Sequence, residues 1–166
     1  MEYSTALADQ ARTGDAHAFA SLYELIYQDL YRFALYTLKN THDAEDAVSD
    51  TVTDAFHEIH SLQKPESFKA WIFRILTAKC KQRLKSYLNK TEELNEELPV
   101  HTPDLSEQMD VRNAFFSLDD EDRLILSLHI FGGYSSREIG QLMTMNDATV
   151  RSRQSRALKK LQDILH

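Results

Sequence analysis

The chain has 166 residues, 26 of them acidic and 19 basic, and a net charge of −7. Four glycines and three prolines are too few for a turn-rich β-sandwich, and the mix of apolar and charged residues is that of a soluble helical protein. A single cysteine, Cys80, excludes an internal disulfide and favours a reducing compartment. No apolar run nears the ~20 residues of a membrane span, and the start MEYSTALADQ lacks a basic n-region, so the expectation is a cytoplasmic protein with no membrane insertion of its own.

The net charge conceals a segmentation. Residues 1–66 hold four basic and twelve acidic side chains; residues 67–90 hold seven basic and none acidic. Residues 91–111 hold seven acidic and none basic, and residues 112–166 hold eight basic and seven acidic. Two cationic patches therefore sit within an acidic molecule, which suits nucleic acid only with the help of a second component.

In chain order, residues 5–13 read as a short helix ended by Gly14. Asp15 is placed to cap a long helix in which Phe19, Leu22, Tyr23, Ile26, Leu30, Phe33 and Ala34 recur at three- and four-residue steps. Tyr23, Tyr27, Tyr31 and Tyr36 read as packing rather than a cofactor box, and no cofactor is expected. A turn at 39–42 leads to a helix over 43–59, with a buried stripe of Ala44, Ala47, Val48, Val52, Ala55, Phe56 and Ile59. Its remaining surface is acidic: Asp43, Glu45, Asp46, Asp50, Asp54 and Glu58. This face lacks an EF-hand loop, and it is either solvated or a dock for a cationic partner. His57 and His60 have no third ligand at suitable spacing, so no metal is expected.

Residues 61–66 read as a loop, with Ser67 capping a helix to about residue 88. Phe68, Trp71, Ile72 and Ile75 form its core side. Lys69, Arg74, Lys79, Lys81, Arg83 and Lys85 supply positive charge with no acid among them, as a nucleic-acid backbone requires. From Thr91 the composition turns acidic, with Pro99 and Pro103, and reads as an interdomain linker over 91–111. The domains are then 1–90 and 112–166. The second opens with a helix around 109–118, then one carrying Leu124, Ile125, Leu128 and Phe131, with Asp119 to Asp122 at its start and Gly132 and Gly133 at its end.

The last stretch carries the clearest motif. Ser135 stands three residues before Glu138, the spacing of a capping box, and Ile139 and Leu142 follow on one face. Asn146 and Asp147 offer caps for a second helix, where Val150, Ala157, Leu158, Leu161 and Leu165 share one side. Residues 148–162 contain five basic side chains and no acid. Short helix, turn and longer basic helix is the layout of a helix-turn-helix DNA reader; the plainer alternative is an amphipathic helix with a solvated basic face.

The order GDAHAFASLYELIYQDLYRFA, DAEDAVSDTVTDAF, SFKAWIFRI, acidic linker, then LDDEDRLILSLHIFGGYSSREIGQLM and TVRSRQSRALKKL, resembles the extracytoplasmic-function (ECF) sigma factors of the sigma-70 family. The resemblance implies an all-α fold of two small helical domains, the C-terminal one a helix-turn-helix. It also implies core RNA polymerase and promoter DNA as partners and an anti-sigma factor as regulator. Asp43, Glu45, Asp46 and Asp50 match the polymerase-docking stretch. Lys69, Arg74, Lys79, Lys81, Arg83 and Lys85 lie on the helix matching the minus-ten side. Thr149, Arg151, Ser152, Ser155, Arg156 and Lys159 lie on the helix matching the minus-thirty-five side. The chain departs from the family at Leu118-Asp119, usually Leu-Pro, and at Gly140, usually Ala. No phosphate loop, metal spacing or nucleophile with its base supports an enzyme. The alternative is a stand-alone dimeric helix-turn-helix regulator.

Overall fold

The computed structural model describes residues 5–90 and 107–165 and, among them, is built of eight α-helices and two short 3-10 turns. The helices are α1 (Thr5–Arg12), α2 (Ala16–Leu38), α3 (Thr41–Glu58), α4 (Phe68–Lys90), α5 (Glu107–Phe116), α6 (Asp120–Ile130), α7 (Ser136–Met143) and α8 (Asp147–Leu165). No strand occurs among the described residues, as expected for an all-α protein.

Local chemistry sets the boundaries. Gly14, at φ +112°, ends the first turn of chain, and the Asp15 carboxylate accepts from the backbone N–H groups of His17 and Ala18 to start α2. Lys39 takes the left-handed conformation, which frees Asn40 to cap α3 by accepting from Asp43 N–H at 2.9 Å. Helix α3 therefore begins at Thr41, two residues before the expected start. Ser67 closes a 3-10 turn, Pro65–Ser67, that runs directly into α4. Helix α5 begins at Glu107, so the last residues of the stretch read as linker are helical; residues 91–106 lie outside those described.

Helices α2, α3 and α4 pack around Leu22, Ile26, Leu30, Phe33, Ala47, Ile72, Phe73 and Leu76, all buried. Phe33 and Phe73 meet edge to face at 5.5 Å between centroids. One expected core position on α3 differs: Phe56 is 47% exposed, its ring edge to face with Phe19 at 5.2 Å. Thr51, outside the expected stripe, is buried and donates its hydroxyl to Ala47 O at 2.7 Å. Cys80 is buried in the same core, and burial pushes its thiol well above the ordinary range. Iodoacetamide should leave Cys80 unmodified in the folded chain and react once denaturant exposes it, as mass spectrometry will read.

The two halves share this core. Leu124, Ile125, Leu128, Tyr134, Ile139 and Val150 belong to the same buried cluster as the N-terminal helices. Tyr36 on α2 meets Phe115 and Phe131 edge to face at 5.0 and 5.1 Å. Arg123 on α6 is 3% exposed. Its Nε donates to Thr37 O at 3.2 Å, at the open C-terminal end of α2, its Nη1 donates to Leu118 O at 2.5 Å, and it pairs with Asp120. The arginine thus caps a helix from the other half of the molecule.

Candidate DNA-facing and polymerase-facing surfaces

The helix pair α7–α8 is built as the motif demands. Ser135 Oγ accepts from Glu138 N–H, and a Glu138 carboxylate oxygen accepts from Ser135 N–H, completing the capping box. Thr144 ends α7 in the left-handed conformation, and Asn146 Oδ1 accepts from Ala148 N–H at 2.8 Å to start α8. Gly140 lies where the two helices turn: a Cβ there would stand 2.6 Å from Met145 O. This close approach accounts for glycine at position 140. Gly140→Ala should lower stability by about 1–3 kcal/mol, the usual range for overpacking, seen as a lower melting temperature.

On α8, Val150, Gln154 and Ala157 face inward, with Ser136 Oγ donating to Gln154 Oε1 at 2.9 Å. The expected stripe is therefore narrower at its far end. Leu158 is 46% exposed and Leu165 is exposed, while Ala157 and Leu161 are the side chains that cluster with Phe115, Leu118 and Leu126. Thr149, Arg151, Ser152, Ser155, Arg156 and Lys159 are all exposed, so every residue expected on the reading side is accessible. Arg151 makes a local pair with Asp147 at 3.2 Å, which leaves it at the surface. Arg153 is directed away, to Glu121 and Asp122 on α6 at 3.3 and 3.2 Å, and ties the reading helix to its support. Burial is the main cause holding the Asp122 carboxyl above its ordinary range.

The α4 cations divide into two groups. Arg74, Lys81 and Lys85 are exposed. Lys69 Nζ lies over the Phe73 ring at 5.8 Å. Lys79 and Arg83 instead turn toward α3: Lys79 pairs with Asp54 at 2.6 Å, and Arg83 with Asp50 at 3.5 Å and Asp43 at 3.7 Å. The Tyr87 hydroxyl donates to Asp43. Of the acids expected to face polymerase, Asp43 is thus directed inward. Glu45 and Asp50 are exposed, and Asp46 is half-buried with His42 3.5 Å away. No group of three or more potential metal ligands forms among the described residues, and His57 and His60 are both exposed.

Two contacts join α4 to the reading half. Tyr134 donates its hydroxyl to Ala70 O at 2.6 Å, and Lys81 Nζ donates to Leu142 O at 3.3 Å. Burial pushes the Tyr134 hydroxyl up to about 12. Arg123, Tyr134 and Asp54 were not identified from sequence as joining elements. The available signal for Arg123 was a lone cation beside the apolar run Leu124 to Leu126.

Residues 22–88 match the family model for Sigma-70 region 2, and residues 108–161 match that for Sigma-70, region 4. The chain belongs to the ECF group of the sigma-70 family. Among ECF sigma factors, SigM of Mycobacterium tuberculosis H37Rv is 28% identical over 155 residues, covering 92% of this chain and 79% of the relative. SigE of Mycolicibacterium smegmatis is 32% identical over 168 residues, covering 92% and 65%. Among solved structures, CnrH in complex with the cytosolic domain of CnrY aligns with a TM-score of 0.68 at 25% identity, over 97% of this chain and 96% of that one. The sigma factor RpoE in complex with the anti-sigma factor NepR from Bartonella quintana aligns with a TM-score of 0.70 at 25% identity, over 89% and 96%. Both sigma-70 regions occur in one chain and in order, which favours an ECF sigma factor over a stand-alone helix-turn-helix regulator.

Proposed function

We propose that this chain binds core RNA polymerase in the cytoplasm and directs promoter recognition and transcription initiation, contributing specificity and no catalytic group. The observation that carries the reading is the α8 surface. Thr149, Arg151, Ser152, Ser155, Arg156 and Lys159 stand exposed on the second helix of a capped helix-turn-helix, where they suit the minus-thirty-five element. Arg74, Lys81 and Lys85, with Lys69, Lys79 and Arg83 beside them, suit the minus-ten side on α4. Glu45, Asp46 and Asp50 suit a cationic surface of polymerase. The working units are a polymerase-docking and minus-ten domain over 1–90, an acidic linker that gives way to α5 at Glu107 rather than running to 111, and a minus-thirty-five domain from α5 onward. An anti-sigma protein is the regulator that best fits the two relatives solved with bound partners.

The reading requires a change of shape. Elements named for minus ten and minus thirty-five lie about 25 base pairs apart, roughly 85 Å of B-form DNA at 3.4 Å per pair. Tyr134 and Lys81 hold α4 in hydrogen-bond contact with the helix-turn-helix half. Both elements are reached together only when the halves separate and a larger assembly fixes their spacing. Run-off transcription with core polymerase on a genomic fragment library tests the function. Products absent with core alone should appear on adding the chain; no new product, together with no stoichiometric complex with core, would overturn it.

A further inference from the structure

The carboxylates of α3 and the cations of α4 form a ladder. Asp50 and Asp54 are one turn apart on one helix, and Lys79 and Arg83 are one turn apart on the other. The helices run antiparallel, so Asp54 meets Lys79 at 2.6 Å and Asp50 meets Arg83 at 3.5 Å. Asp43 ends the ladder, holding Arg83 at 3.7 Å and accepting from the Tyr87 hydroxyl. The rungs are asymmetric. Asp54 and Asp50 side chains are 44% and 59% exposed, whereas those of Lys79 and Arg83 are 29% and 28% exposed. The acids are thus the members that an outside partner reaches first.

Resting on the promoter-binding reading above, we propose that docking of polymerase on α3 unmasks DNA-binding cations on α4. In the free chain Asp50 and Asp54 neutralise Arg83 and Lys79. A cationic partner surface that takes these two carboxylates releases both side chains to nucleic acid, while the Tyr87–Asp43 hydrogen bond keeps the helices in register. Exposed pairs of this type are individually weak, so they exchange readily for a larger cationic surface. Linkage makes the effect reciprocal: whatever takes up the acids frees the cations for DNA, and whatever takes up the cations frees the acids for polymerase. The surface that docks polymerase and the surface that touches DNA are then two ends of one equilibrium.

The test uses the full chain and a labelled 30-base-pair duplex of random sequence, titrated by fluorescence anisotropy across a salt series without polymerase. Asp50→Asn with Asp54→Asn should tighten binding several-fold more than Glu45→Gln with Glu58→Gln, which removes the same charge from α3. The log–log salt slope should steepen by up to about 1.8, or about 0.9 for each of two newly available cations. In a Lys79→Gln, Arg83→Gln background this extra gain should vanish. A gain no larger than the control, or one that survives in that background, overturns the proposal by reducing the acids to general repulsion. Circular dichroism melts verify that each variant is folded. In the second arm, Lys79→Gln with Arg83→Gln should bind core polymerase more tightly than the unsubstituted chain. Core binding that does not respond overturns the coupling alone, whereas no core binding by the unsubstituted chain overturns the promoter reading and the coupling with it.

Discussion

Reversing charge at Arg151 and Arg156, each to Glu, should reduce polymerase-directed run-off transcription by about 100-fold while the chain still binds core polymerase. Both side chains are exposed on the outer face of α8, one turn or so apart, where phosphate and guanine edges are within reach of a major-groove helix. An arginine–guanine fork contributes about 1–3 kcal/mol of discrimination, and a phosphate contact adds salt-dependent affinity. Losing two such contacts and adding two repulsive charges amounts to about 3 kcal/mol, which is roughly 100-fold, since 1.4 kcal/mol is tenfold. The folded state should lose little. Arg151 gives up its surface pair with Asp147, and Arg156, which donates to Ser152 O at 3.4 Å within its own helix, gives up an attraction to the Asp122 carboxylate. A melting temperature unchanged within about 1 °C, with transcription also unchanged, sinks the assignment of α8 as the reading helix.

Arg123→Ala should destabilise the fold strongly for a polar substitution. The guanidinium satisfies Thr37 O and Leu118 O in a buried setting, and its removal leaves both carbonyls without that donor and opens a cavity at the joint between the halves. Each stranded buried acceptor costs about 1–3 kcal/mol, so a loss of about 3 kcal/mol is expected. For a chain of this size that lowers the melting temperature by roughly 6–12 °C. Asp120 is half-exposed and tolerates the loss of its partner, so the damage comes from the backbone acceptors rather than from a stranded charge. Arg123→Lys keeps the charge and loses the forked geometry, and it should fall between the two. Thermal denaturation followed by circular dichroism measures all three. Equal stability of Arg123→Ala and the unsubstituted chain would show that the arginine is not a pin.

What could be read in advance depended on whether the partner of a residue lay nearby in sequence. The Asp15 cap, the Ser135–Glu138 box and the apolar steps of α2 are local, and all appear as the spacing implied. The start of α3 was missed because a left-handed Lys39 is not a residue-type preference, and it moved the cap to Asn40. Phe56, Leu158 and Leu165 continue helical periodicity faithfully, but periodicity does not reveal how wide a face the neighbouring helices cover. The exposed face of α8 was legible for the opposite reason: exposed positions are fixed by the helix's own geometry. The α3–α4 ladder was hidden because each helix, taken alone, shows a charged face of one sign and reads as solvated. Only their antiparallel register turns two faces into rungs. Arg123 was hidden because its acceptors are backbone oxygens, one of them 86 positions away.

The joint around Tyr36 has a further effect once the halves part. Phe115 and Phe131 each lie against the Tyr36 ring across it, so separation wets three aromatic surfaces at once. Whatever parts the halves must therefore also cover these rings, because freshly exposed aromatic surface drives self-association.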